Sequence, residues 1–252
     1  MLAVETSGLT RCFGPVRAVD GLNLRVEAGQ FFGFLGPNGA GKSTTIKMLT
    51  GLLAPTSGSM RVLETDLSTT AAARSVKRRI GVVPEDLALF DNLTAREYLT
   101  FIGRMYLLPS ETVRQRCQEL LAMMDLDREE KKTTLEYSHG MKKKLALAAA
   151  LLPNPDLLFL DEPFEGVDAV ASRMLRDVLL GFVKRGTTVF LTSHVLEIVE
   201  KLCTHVGIVA QGKLVLQASM DDVRQNGSLE ERFLEVVGNG QVEKQKLSWL
   251  EE

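Results

Sequence analysis

An α/β fold is predicted for this sequence: a mostly parallel sheet wrapped by helices, an antiparallel β unit at the N-terminus, and an all-helical segment inserted between strands. Three observations predict it. Short apolar runs, Phe31–Leu35, Ile80–Val83, Leu157–Leu160 and Thr187–Leu191, alternate with helical patterns, as strands buried on both faces do. Residues 22–27 alternate apolar and polar side chains, the period of a strand with one wet face. Between Asp86 and Leu152 apolar residues instead recur three and four apart, the period of a helix.

The elements follow in order. Residues 2–30 read as antiparallel strands, with turns at Asp20-Gly21 and Ala28-Gly29 and a loop at Phe13-Gly14. After the run Phe31–Leu35 comes Gly36-Pro37-Asn38-Gly39-Ala40-Gly41-Lys42-Ser43-Thr44, which fits the phosphate-binding pattern G-x-x-x-x-G-K-[ST]. Residues 45–50 then read as a helix closed by Gly51. Strand, glycine loop and helix are the context that motif requires. The glycines let successive backbone N–H groups turn toward one anion, and the helix start adds the positive end of its dipole. Lys42 brings a point charge to the outer phosphates, and Ser43 offers a hydroxyl to Mg²⁺.

Pro55 to Gly58 reads as a turn, Ser59 to Glu64 as a strand, Ala71 to Arg79 as a basic helix, and Ile80–Val83 as a buried strand ending in Pro84-Glu85. Thr94 and Glu97 form a capping-box pair, with Leu99, Ile102, Met105 and Tyr106 on the helix that follows. Val113, Cys117, Leu120, Leu121 and Met124 continue the pattern, and Met123-Met124 reads as core filler. Helices are expected over 171–182 and 195–203, a closing hairpin over 206–216 split by Gln211-Gly212, and a last helix over 229–237. The polar stretch 238–252 is expected to fray. The domain reading is a core of residues 1–85 and 153–228, a helical insert of 86–152, and a C-terminal helix and tail of 229–252.

Composition narrows the function. With 252 residues, 45% apolar and 25% charged, the chain can bury a full core. Its net charge of −2 gives no reason to expect nucleic acid as a partner. Cys12, Cys117 and Cys203 are odd in number and lack metal spacing. No leader is read at Met1–Glu5, and the most apolar stretch, 145–160, is broken by Pro153 and Pro155 before it could cross a bilayer.

Four further stretches carry chemistry. Asp161 ends an apolar strand, where a carboxylate can hold Mg²⁺ opposite Ser43, and the neighbouring Glu162 can orient or deprotonate a water for attack on a γ-phosphate. Ser138 reads as the N-cap of a helix bearing Met141, Leu145, Ala148 and Leu152 on one face; that start is either an anion site or an ordinary cap before a solvated run, Lys142–Lys144. His194 ends a strand, within reach of a phosphate oxygen, or is structural. Asp168 lies in a loop that can reach a second subunit. Phe13 either stacks on a purine ring or packs in the core.

Taken in order, these motifs resemble the ATP-binding subunit of ATP-binding cassette (ABC) transporters, over about residues 2–219. The signature-type stretch Tyr137-Ser138-His139-Gly140-Met141, and Leu89-Phe90-Asp91-Asn92-Leu93-Thr94, are similar to bacterial export-type members. The resemblance implies a P-loop NTPase core with an antiparallel subdomain and a helical insert. It implies ATP and Mg²⁺ as ligands, with Phe13 stacking on adenine and residues 36–44 on the phosphates. Ser43, Asp161 and Glu85 would serve the metal, Glu85 standing where the family usually has Gln. Glu162, His194 and Lys42 would act in hydrolysis. Ser138, His139, Gly140 and Met141 would contact ATP held by the other subunit, His139 replacing the family's glycine, and Asp168 would lie in the inter-subunit loop. A polytopic membrane permease and a second ATPase subunit are the implied partners, at the cytoplasmic face of the membrane. A family member doing mechanical work without a membrane is the alternative; no guanine-reading Asn-Lys-x-Asp is present to suggest a GTPase.

Overall fold

The computed structural model describes residues 1–238. The chain begins with β1 (Leu2–Phe13), β2 (Val16–Glu27) and β3 (Phe31–Leu35), and the phosphate loop leads into α1 (Lys42–Leu49). Then come β4 (Ser57–Val62), β5 (Thr65–Asp66), α2 (Thr70–Lys77) and β6 (Ile80–Val83). Three helices follow: α3 (Ala95–Met105), α4 (Ser110–Met123) and α5 (His139–Leu151). The remainder is β7 (Leu157–Asp161), α6 (Ala169–Lys184), β8 (Thr188–Ser193), α7 (Leu196–Leu202), β9 (His205–Ala210), β10 (Lys213–Ser219), α8 (Met220–Gln225) and α9 (Leu229–Val237). The expected fraying of 238–252 concerns residues 239–252, which lie outside the described part, apart from Gly238.

Two sheets result. One is antiparallel, in the order β2-β1-β4-β5. The other runs β10-β9-β3-β8-β7-β6, parallel except for β10. Every residue of β3, β7 and β8 is buried, which is why those runs read as continuously apolar. Their alternate side chains serve two cores. Phe31, Leu35, Leu158, Leu160, Val189 and Leu191 face a core shared with α3 to α9. Phe32, Phe34, Phe159 and Phe190 face the other, completed by α1 and the antiparallel sheet. There the Phe190 ring meets those of Phe32, Phe34 and Phe159 at centroid distances of 5.4–5.5 Å.

Both edges of the parallel sheet are touched by a side chain. The Tyr106 hydroxyl donates to the Ile80 carbonyl of β6 at 3.1 Å. On the far side, the Gln217 amide of β10 bonds the backbone of Arg25 in β2.

Several local expectations need correction. Asp20-Gly21 is not a turn: it lies inside β2, where the register with β1 shifts and Gly21 takes a φ of +64°. The dipeptide makes a bulge there because both flanking segments stay paired to β1. Ser57-Gly58 belongs to β4, and the turn falls instead at Leu63-Glu64, both at positive φ. The Thr94–Glu97 capping box is present, but Met105 and Met123, each the last residue of its helix, are exposed, while the adjoining Met124 is fully buried. The short α8 carried no sequence signal beyond its Ser219 cap.

Candidate functional site

The parallel order puts the carboxyl ends of β3, β8, β7 and β6 along one rim. The phosphate loop, His194, Asp161-Glu162 and Pro84-Glu85 leave those ends in that spatial order. Binding sites in open α/β sheets form at such a rim. Here it holds a cleft of about 490 Å³ lined by Phe13, residues 38–44, Glu85, Glu162, Glu165 and His194.

The loop's shape is dictated by close approach. A Cβ on Gly41 would stand 2.3 Å from the Ala18 carbonyl oxygen, and φ there is +101°. A Cβ on Gly36 would stand 2.4 Å from the Val209 carbonyl oxygen. Only glycine fits either position. Gly36 and Pro37 do not line the cleft; their carbonyls accept from the Lys42 ammonium, at 2.8 and 3.4 Å. Lys42 is itself buried, on the first turn of α1, with its Nζ 3.6 Å from Glu162 Oε1.

Glu162 is the most constrained residue of the site. It is buried, and its φ of +47° lies in the left-handed region, which costs a non-glycine residue roughly 1–2 kcal/mol. Its amide donates to Thr192 Oγ1 at 3.1 Å, and that hydroxyl donates to Asp161 Oδ1 at 2.5 Å. Its carbonyl accepts from Lys143 Nζ at 2.9 Å. On the side chain, Oε2 lies 3.1 Å from His194 Nδ1 and 3.4 Å from the His194 amide. Oε1 is buried and accepts no hydrogen bond. A carboxylate oxygen beside a phosphate loop, paired with Lys42 at 3.6 Å but hydrogen-bonded to nothing, suits a general base acting on water.

The Ser43 hydroxyl donates to Glu85 Oε2 at 3.3 Å, so the structure brings together two of the three candidate metal residues. These are hard oxygen donors of the kind Mg²⁺ takes, and the ion keeps several waters of its own. Asp161 is buried behind them, one oxygen held by Thr192. The donor chemistry fits the ion.

Phe13 ends β1 with its ring half-exposed at the mouth of the cleft, so the core alternative fails. The Arg11 guanidinium covers one face of that ring, 4.6 Å from its centroid.

The remaining candidates form a second group away from the cleft. Ser138 caps α5, accepting from the Met141 amide at 3.3 Å. Asp168 caps α6 through Oδ1, which accepts from the Val170 and Ala171 amides at 2.9 Å each. The bond from Ala171 leads in holding its carboxyl below the usual range. The His139 ring packs on Gly166, where an added Cβ would lie 2.9 Å from Cδ2. Gly140 faces the same loop, its built Cβ 3.9 Å from Asp168 Oδ2.

One expectation about this helix is wrong. The Lys142–Lys144 run is not solvated throughout, since Lys143 is only 2% exposed. Helix α5 is buried at Lys143 and again from Leu145 to Leu151, so the member of the lysine run that points inward is covered with it. Lys143 carried no sequence signal, and neither did Glu165 and Ala18, which line the cleft.

A family model described as ABC transporter matches residues 19–165. The daunorubicin/doxorubicin resistance ATP-binding protein DrrA of Streptomyces peucetius is 38% identical over 222 residues, covering 88% of this chain and 67% of its own length. The bacitracin transport ATP-binding protein BcrA of Bacillus licheniformis is 38% identical over 222 residues, 88% of this chain and 71% of its own. A solved ATP-binding subunit of an ABC transporter superposes with a TM-score of 0.86 at 28% identity, covering 93% of this chain and 99% of that one.

Proposed function

Because this chain belongs to the ABC transporter family, it is an ATP-hydrolysing subunit that works with a membrane permease and a second ATPase subunit, and we propose that Glu162 is the base that activates the attacking water. The carrying observation is the Glu162 carboxylate, fixed between Lys42 and His194 with Oε1 free of hydrogen bonds. Around it, Lys42 and the 36–44 backbone hold the outer phosphates, and Phe13 stacks on adenine. His194 donates to the γ-phosphate and steadies Glu162. Ser43, Glu85 and Asp161 hold Mg²⁺, which when bound neutralises phosphate charge.

Ser138, His139, Gly140 and Met141 cap a nucleotide held by the other subunit, and Asp168 lies at the seam. Neither half-site is complete alone, so closure follows ATP binding and reopening follows hydrolysis. The 86–152 insert transmits the movement. A groove of about 170 Å³ between the end of β6 and α3, lined by Leu87, Leu89, Tyr98 and Ile102, offers the permease an apolar seat. Among the described residues no helix is long and apolar enough to cross a membrane. The transport and resistance names of the relatives support a subunit held peripherally, through its permease, at the cytoplasmic face. The names of the relatives, for resistance and for transport, support export as the direction.

In Glu162→Gln, turnover falls by on the order of 10²- to 10⁴-fold and Mg·ATP shifts the protein to a dimer in gel filtration. Lys42→Ala gives no heat with ATP in calorimetry. A Glu162→Gln protein that stays monomeric with Mg·ATP, or that keeps normal turnover, would sink the reading.

A further inference from the structure

Lys143 is a buried ammonium that the mechanism above does not use. It sits one turn into α5, beyond the Ser138 cap, and is only 2% exposed. Its Nζ donates to the Glu162 carbonyl at 2.9 Å, joining a helix start to the end of β7. Burial pushes its pKa below the usual lysine range, against the pull of Glu165, Glu85, Glu162 and Asp161. An apolar helix holding a desolvated cation is an arrangement stability alone does not favour, because a hydrophobic side chain of similar size packs as well or better. The bond falls on a backbone that needs restraint, since Glu162 is held at positive φ.

We propose that Lys143 is a positioning residue for hydrolysis, holding the Glu162 backbone in the left-handed conformation that turns its carboxylate into the cleft. The proposal rests on the reading of Glu162 as base. It has a consequence for a dimer. The first residues of α5 serve the nucleotide of one site, while Lys143, on the same helix, aligns the base of the other. Displacement of α5 by ATP at one site therefore moves Glu162 at the second through a single hydrogen bond.

The test uses the full chain with Mg·ATP and compares Lys143→Met, Lys143→Arg and Glu162→Gln. Lys143→Met keeps length and burial but donates nothing. Its kcat is expected to drop by on the order of 10- to 100-fold, the effect of a small misplacement of a reacting group. KM and the affinity for a fluorescent ATP analogue stay within about twofold. Lys143→Arg, which restores a donor, recovers a measurable part of kcat. If Lys143→Met does not fold, Lys143→Gln, one atom too short to reach the carbonyl, takes its place. Unchanged kcat in Lys143→Met, with Glu162→Gln inactive, overturns the proposal and leaves the base in place. A parallel loss of affinity, kcat and melting temperature, with no recovery in the arginine variant, overturns it too. Normal turnover in Glu162→Gln overturns the underlying reading as well.

Discussion

At the residue scale, Glu85 stands where the family resemblance leads one to expect Gln. Its carboxylate accepts from Ser43 at 3.3 Å and lines the same cleft as Lys42 and Glu162. A second negative charge near a γ-phosphate is unfavourable unless a cation stands between them. Turnover is therefore expected to climb steeply with Mg²⁺. In Glu85→Gln that climb flattens by roughly two- to tenfold, the range of one partly screened charge interaction. Phosphate release across a Mg²⁺ titration reads it; superimposable curves at equal rate would rule the idea out. The phosphate loop, Glu85, Asp161 and Glu162 were legible because each belongs to a short motif or a strand end. Lys143 was not, because its neighbours Lys142 and Lys144 are polar and partly exposed and only the burial of α5 distinguishes it. Phe13 needed the fold: whether an aromatic ends its strand in a core or at a mouth is decided by what packs over it.

At the element scale, the helices were readable from period and caps. Thr94 and Glu97 close a capping box that local spacing announces, and α6 begins at Asp168, which bonds two of its free amides. Bulges were less readable. Asp20-Gly21 has turn chemistry, and only pairing across to β1 shows that the strand continues. Contacts between helices were not readable at all. Helices α3 and α4 approach so closely at Gly103 that an added Cβ would stand 2.5 Å from Val113 Cγ2. Gly103→Val should therefore lose about 1–3 kcal/mol of stability through overpacking. Urea unfolding followed by circular dichroism measures it, and a midpoint equal to that of the parent would show that the two helices part without cost.

At the scale of the whole molecule, the strand order was implied rather than written. Four apolar runs predict a parallel sheet, but nothing local says that β8 lies between β3 and β7. That placement brings His194 beside Glu162 although 31 residues separate Thr192 from Asp161, the pair that ties the two strand ends. The same fold leaves the Ser138–Met141 group out of the cleft that holds the phosphate loop, and on the proposed reading of that group a complete catalytic unit needs two chains. Specific activity should accordingly rise with protein concentration at saturating Mg·ATP, approaching a second-order dependence when the protein is dilute. Initial rates over a hundredfold dilution series test this, and a constant specific activity would place all the machinery within one copy.

The tyrosine that follows α3 and reaches β6, and the glutamine on β10, have a bearing on self-association. A bare strand margin is a template for polymerisation. Tyr106 occupies a carbonyl on one margin and Gln217 ties the other to Arg25, so neither offers an uninterrupted ladder to a stray chain. Two side chains outside the cleft thereby guard both margins against edge-to-edge pairing.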